Sequence, residues 1–221
     1  MGTGAMTDGD VSGGIGPRAF RLGVLVSGSG SNLQSIIDNL HNGPAAIEIT
    51  VVISDNPEAY GLKRAAEAGI PTAVYPMNEY DSRAGHDKAM ATELEQHGVD
   101  LVVMAGYMLI ITTALMDRFP YRVINLHPSL LPAFPGGNPI EDTIAYGARV
   151  TGVTVHYVDE GTDTGPIILQ EALEIKYNDT VESLRGRIHE IEHRLLPRVI
   201  ELIASGRVRF DDANPRNIIT G

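Results

Sequence analysis

From Arg21 onward, short runs of apolar and β-branched residues alternate with segments of helical periodicity, and this alternation limits the fold more than any single motif. Leu22–Ser27 is an apolar run ending in Gly28-Ser29-Gly30, the pattern of a buried parallel strand entering a helix. Within 31–40 the apolar residues fall at Leu33, Ile36, Ile37 and Leu40, a helical spacing. Ile47–Ser54 predicts a second strand, Tyr60–Ala68 a helix closed by Gly69, Thr72–Tyr75 a short strand, and Asp81–His97 a longer helix stopped at Gly98. Leu101–Ala105 is the most apolar strand and is expected at the centre; Thr112–Phe119 reads as a short helix and Arg122–Asn125 as the next strand. Such stepping predicts an α/β fold: an open, mostly parallel, Rossmann-like sheet with helices on both faces. After Pro135 the pattern changes. Val150–Val158 and Ile167–Ile175 read as a hairpin-like pair joined by Asp159–Pro166, so antiparallel strands are added at the sheet edge in the C-terminal half. Thr180–Ser205 predicts a long closing helix, with Thr180 as N-cap and Glu182 placed to favour its dipole.

The 221 residues fit one domain, expected over 21–210, with a flexible tail at 1–20 and a loose end at 211–221. The tail lacks the apolar stretch of a signal peptide, and no apolar run has the length of a membrane span. A formal charge of −11 argues against a nucleic-acid or anionic-membrane surface, which needs an excess of Lys and Arg. It leaves room for a small anionic ligand held by backbone amides. With no cysteine there is no disulfide framework and no thiolate metal site, which fits a cytoplasmic setting.

Three stretches carry candidate chemistry. Asn125 and His127 stand two apart where a strand meets the loop Pro128–Pro132, and strand alternation sends both to one side. An amide donor beside a titratable imidazole suits a carbonyl oxygen that becomes an oxyanion while a neighbouring nitrogen takes a proton. A capped strand end with a surface histidine is the other reading. The turn Ser27–Asn32 sets glycines and unpaired amides before a helix, a site for one phosphomonoester or simply a tight βα turn. Leu33 occupies the third glycine position of a dinucleotide fingerprint, and no P-loop lysine is present. In the loop 159–166, Asp163 could orient an imidazole or belong to a solvated acidic turn; spacing alone does not bring it to His127. His41, His86 and His97 are expected to be solvated, and His156, on a strand face beside the acidic loop, to be structural or to support a site residue. His189, Glu190, Glu192 and His193 lack the H-E-x-x-H spacing, so no metal is expected.

Val26-Ser-Gly-Ser-Gly-Ser-Asn-Leu-Gln34, Ile53-Ser-Asp-Asn-Pro-Glu-Ala-Tyr-Gly61, Ala105-Gly-Tyr-Met108, Asn125-Leu-His-Pro-Ser-Leu-Leu-Pro-Ala-Phe-Pro-Gly136 and Gly161-Thr-Asp-Thr-Gly-Pro166 occur in one consistent order. In these residues, across roughly 21–205, the chain resembles the glycinamide ribonucleotide formyltransferases, folate-dependent enzymes of de novo purine synthesis. The resemblance implies direct transfer of a formyl group from 10-formyltetrahydrofolate, a co-substrate, to the glycinamide amine without a metal. It implies small-molecule substrates only, with no nucleic acid and no membrane, and leaves monomer and homodimer both open. It implies Asn125, His127 and Asp163 as the catalytic set. Gly30, Ser31 and Asn32 would hold the phosphate, and Glu192 the amine, with His189, Glu190 and Ile191 alongside. Arg83 and Met108, Leu109, Ile110 and Ile111 would contact the folate with Asn125, and Asp159, Glu160, Gly161, Thr162 and Asp163 would wrap its pterin.

Two positions depart from the family pattern: Asn138 stands where a histidine is frequent, and Leu109 where arginine is frequent. Competing readings are a formyltetrahydrofolate deformylase, a tRNA or sugar-nucleotide formyltransferase, which would extend further, and a non-catalytic nucleotide-binding module.

Overall fold

A computed structural model describes residues 18–221. Strands β1 (Phe20–Val26), β2 (Ile47–Ser54), β3 (Thr72–Val74), β4 (Leu101–Met104), β5 (Val123–His127), β6 (Val150–Tyr157) and β7 (Ile167–Glu174) form one seven-stranded sheet in the order β3-β2-β1-β4-β5-β6-β7. The first five strands run parallel, while β6 and β7 are antiparallel additions at one edge. Alternate β1 residues feed two cores, so helices cover both faces. Leu22, Val24 and Val26 pack with α1 (Ser31–Leu40), α5 (Pro139–Tyr146) and α6 (Val181–Ala204). Leu25 packs on the other side with α3 (Arg83–Gln96) and α4 (Thr113–Met116). The helix α2 (Tyr60–Glu67) completes the first face through Ala65.

The register explains an apparent break in β2. Leu22 pairs with Ile49 and Gly23 with Val51, so Thr50 is the extra residue of a bulge. Ile47 and Ile49 therefore share a core with Val52, while Val51 and Ile53 face the other. At the other end of the chain, Thr180 caps α6 with a reciprocal pair: its hydroxyl accepts from the Ser183 N–H at 3.2 Å, and the Ser183 hydroxyl accepts from the Thr180 N–H at 2.9 Å.

Four expectations are corrected. Residues 1–17 of the anticipated tail lie outside the described residues, but the remainder is not loose. Arg18 meets Asp100 with two hydrogen bonds of 2.6 and 2.8 Å, and Phe20 begins β1. The expected loose end instead returns as an antiparallel ribbon, β8 (Val208–Phe210) with β9 (Ile218–Thr220). The cause is apolar docking: the Phe210 ring lies 4.9 Å from Tyr121 and 5.1 Å from Tyr157, and Val208, Phe210 and Ile218 are partly buried against the core. A helix also fills 139–146, where none was expected. Pro139 opens it, Glu141 and Asp142 occupy its first turn, and Gly147 ends it at φ 79°. Finally, β5 runs on to His127, because Asn125 pairs with His156 and His127 with Thr154 across the antiparallel edge. Among the described residues no helix is long and apolar enough to cross a membrane.

Candidate active site

The strand order reverses direction between β1 and β4, and in open α/β sheets ligands bind beyond the carboxyl ends of strands at such a switch. Here the loops after β1, β4 and β5 meet the 158–163 loop and one face of α6 around a cleft of about 700 Å³.

At the end of β1, Gly30 precedes the first residue of α1 with φ 68°, and a Cβ there would lie 2.6 Å from the Gly61 Cα. Only glycine permits both this left-handed turn and the close approach of α2. The result leaves the opening N–H groups of α1, at Ser31 and Asn32, without partners inside the helix, an arrangement suited to a phosphate. Asn32 reaches across the cleft and donates to Glu192 at 3.0 Å. Glu192 is buried, with the His189 Nε2 at 3.9 Å, and the Asn32 Oδ1 is buried without a partner. Glu192 and this unpartnered oxygen are acceptors for N–H or O–H groups of a ligand.

The second cluster forms where β5 meets β6. Asn125 and His127 lie on one side of β5 and both line the cleft. Facing them, Asp163 places Oδ2 3.4 Å from the His127 Nδ1 and Oδ1 3.7 Å from the His156 Nε2. The Gly136 N–H donates to Asp163 at 2.8 Å, and the Asn125 amide approaches Asp163 and His156, each at 3.4 Å. Those two amide contacts are long, so Asn125 keeps donor capacity for a ligand. The other nitrogen of His127, Nε2, donates to the Phe134 carbonyl at 2.8 Å, which fixes the ring plane. His156 is anchored through Nδ1 to the Tyr157 carbonyl at 2.8 Å.

Tight backbone geometry holds this cluster. Asp163 has φ 55°, and Gly165 passes so close to the Tyr157 carbonyl that a Cβ would sit 1.8 Å from its oxygen. The loop is thereby folded back under His127. On the opposite side, buried Thr154 takes the Leu131 N–H at 3.1 Å and donates to the Ser129 carbonyl at 2.7 Å, pinning 129–131 to β6. Burial is the largest influence on Asp163 and pushes its pKa up. The nearby His156 imidazole, the Gly136 N–H and the His127 charge outweigh it, and the net shift is below the ordinary 3.8. Asp163 is therefore an anion across the neutral range.

The loop after β4 forms the third wall, with Met108, Leu109, Ile110 and Ile111 lining the cleft. Three backbone ties hold it. The Ser27 hydroxyl accepts from the Met108 N–H at 2.9 Å, Arg83 donates to the Ile110 carbonyl, and Asp87 accepts from the Thr112 N–H at 2.5 Å. Ser27 is in turn fixed by Asp55 at 2.6 Å.

Of the residues singled out in the sequence, Gly30, Ser31, Asn32, Asn125, Asp159, Gly161, Thr162, Asp163, His127, His189 and Glu192 line the cleft with 108–111. Four do not. Arg83 sits behind the 108–111 loop as a tie, Glu160 and Glu190 point to solvent, and Ile191 is packed in the core. His86 corrects another expectation: it is fully buried, 3.1 Å from Asp87 and 2.9 Å from the Tyr75 carbonyl, because α3 turns it under the sheet edge. Sequence reasoning passed over Arg185 and Glu141, which also line the cleft. Arg185, His189 and Glu192 stand at i, i+4 and i+7, so helical spacing back from Glu192 would have found the arginine. Asn138 lines the cleft where the family pattern favours histidine.

An open α/β sheet carrying a carboxylate–imidazole–amide cluster and a phosphate-type turn in one cleft suits a group-transfer class of enzyme. Within it, the chain belongs to the formyl transferase family, whose model matches residues 20–200. It is 40% identical over 181 residues to the phosphoribosylglycinamide formyltransferase of Bacillus subtilis, covering 82% of this chain and 93% of that protein. A glycinamide ribonucleotide transformylase structure from Symbiobacterium toebii is 45% identical, with a TM-score of 0.87 over 91% of this chain and 94% of the other. The bovine trifunctional purine biosynthetic protein adenosine-3 is 42% identical over 90% of this chain, which spans 20% of that protein's length.

Proposed function

We propose that this protein transfers the formyl group of 10-formyltetrahydrofolate to the amine of glycinamide ribonucleotide. The observation that carries the reading is the placement of Asn125, His127 and Asp163 in the same cleft as the turn at Gly30–Asn32. One end suits the ribonucleotide phosphate; the 108–111 and 159–163 walls suit the folate.

In this reading the amine attacks the formyl carbon. A new C–N bond forms and the carbonyl oxygen takes the electron pair. The Asn125 amide stabilises that oxyanion, and a fixed donor of this kind is worth about 2.7–4 kcal/mol of barrier; His127 adds a second N–H once its Nε2 turns from the Phe134 carbonyl. The intermediate then collapses: the carbonyl reforms, the bond to the folate N10 breaks, and that nitrogen takes up a proton as the attacking ammonium gives one up. Asp163, held as an anion 3.4 Å from the His127 Nδ1, orients that ring toward the reacting group. Nothing in these steps calls for a metal. A cytoplasmic setting suits the cysteine-free composition.

The test is an absorbance assay for folate product with and without glycinamide ribonucleotide. Product that requires the ribonucleotide supports transfer. Equal product without it means that water is the acceptor and makes the protein a deformylase.

A further inference from the structure

We propose that Arg185 is the cation that receives the substrate's phosphate, and that Glu141 occupies it until the phosphate displaces it; this rests on the formyl-transfer reading above. Among the described residues that line the cleft, Arg185 is the one lysine or arginine, whereas Glu141, Asp159, Asp163 and Glu192 contribute four carboxylates. A phosphate entering such a cleft, in a chain of net charge −11, meets repulsion that a cation at the rim would lessen.

The position of Arg185 fits the role. It lies one helical turn before His189 and two before Glu192 on the same face of α6, about 10 Å from Glu192 along the axis. Glu192 is the residue bonded to Asn32, at the opening turn of α1. The α6 face thus runs from that turn outward to Arg185 at the cleft rim. The nearby Arg64 is already committed: it donates to the Ser29 carbonyl at 2.9 Å and the Gln34 side chain at 3.0 Å, and stacks on Tyr60 at 4.8 Å. Arg185 has one side-chain acceptor, Glu141 at 2.5 Å, and both groups of that pair are more than two-fifths exposed. An exposed pair of this kind is weakly held, so a doubly charged phosphate with bidentate geometry displaces Glu141.

Steady-state kinetics on Arg185→Gln and Glu141→Gln, with inorganic phosphate as competing anion, test the assignment. Arg185→Gln is expected to raise KM for the ribonucleotide and the inhibition constant of inorganic phosphate by about tenfold. Its kcat and folate KM should stay within about twofold. Glu141→Gln, which frees the guanidinium, should shift both phosphate-linked constants the opposite way. Arg185→Lys should recover part of the loss. Unchanged phosphate-linked constants in Arg185→Gln, or an equal rise in folate KM, would overturn the proposal. Lack of any ribonucleotide-dependent product in the unmodified protein would instead remove the formyl-transfer reading. Calorimetric binding of inorganic phosphate to the unmodified protein and Arg185→Gln still tests Arg185 in that event: equal affinities overturn its role.

Discussion

Asp163 is the residue on which the cluster turns, because its two oxygens separately face the rings of His127 and His156 while a backbone N–H fixes one of them. Removing its charge leaves His127 without its carboxylate partner. We expect Asp163→Ala and His127→Ala to lower kcat by at least about a hundredfold, with dissociation constants for both substrates changed little. Single-turnover rates set beside equilibrium binding check this, and near-normal turnover in Asp163→Ala contradicts the role. At this scale the sequence exposed one half of the cluster. Asn125 and His127 share a side of β5 by alternation, a local property. Asp163 meets them only because β6 pairs back on β5 and its following loop folds under His127, and neither the pairing nor the tight Gly165 turn follows from spacing. His86 was misread for a related reason: which face of α3 is buried depends on where the helix lands on the sheet.

Among the elements, the 105–112 loop depends on residues that never touch the cleft. Asp87 is fully buried and binds both the Thr112 N–H and the His86 ring, so it ties the loop's end to α3. Asp87→Ala should raise folate KM by about tenfold while the ribonucleotide KM stays within about twofold. It should also cost about 1–3 kcal/mol of stability for each buried donor left without an acceptor. Denaturant unfolding and substrate titrations at low temperature read the two effects separately; an equal rise in both KM values argues against a loop-specific tie. Element boundaries were legible wherever a cap or breaker marked them, as with Thr180 at α6 and Gly69 after α2. The helix at 139–146 carried equivalent marks, Pro139 and Gly147, yet is short enough to hide in a glycine-rich loop. The terminal ribbon had no local signature beyond the short runs Val208-Arg-Phe210 and Ile218-Ile-Thr220, and it is held by Tyr121 and Tyr157 from distant parts of the chain.

For the molecule as a whole, strand–helix alternation was sufficient to expect a parallel sheet, whereas strand order and the β2 bulge belong to long-range register. The start of the sheet is clamped by Asp100, which accepts from the Arg18 guanidinium and from the Arg21 N–H at 3.0 Å. Burial, the largest influence, pushes the Asp100 pKa up, but the hydrogen bonds from Arg18 and the Arg21 N–H outweigh it and carry it below 3.8. A carboxylate with a depressed folded pKa stabilises fully above its unfolded value, and that contribution disappears as pH falls through the folded one. The protein should therefore melt higher than Asp100→Asn at neutral pH, with the gap closing in scans taken below pH 3.8; a gap independent of pH contradicts this assignment.

The central claim is that one cleft moves a formyl group from folate to a ribonucleotide amine. It is tested most directly by mass spectrometry of the products after incubation with isotope-labelled formyl donor and glycinamide ribonucleotide. The account predicts the label in the ribonucleotide, bound as one formyl group; label recovered as free formate, with the ribonucleotide unmodified, would contradict it.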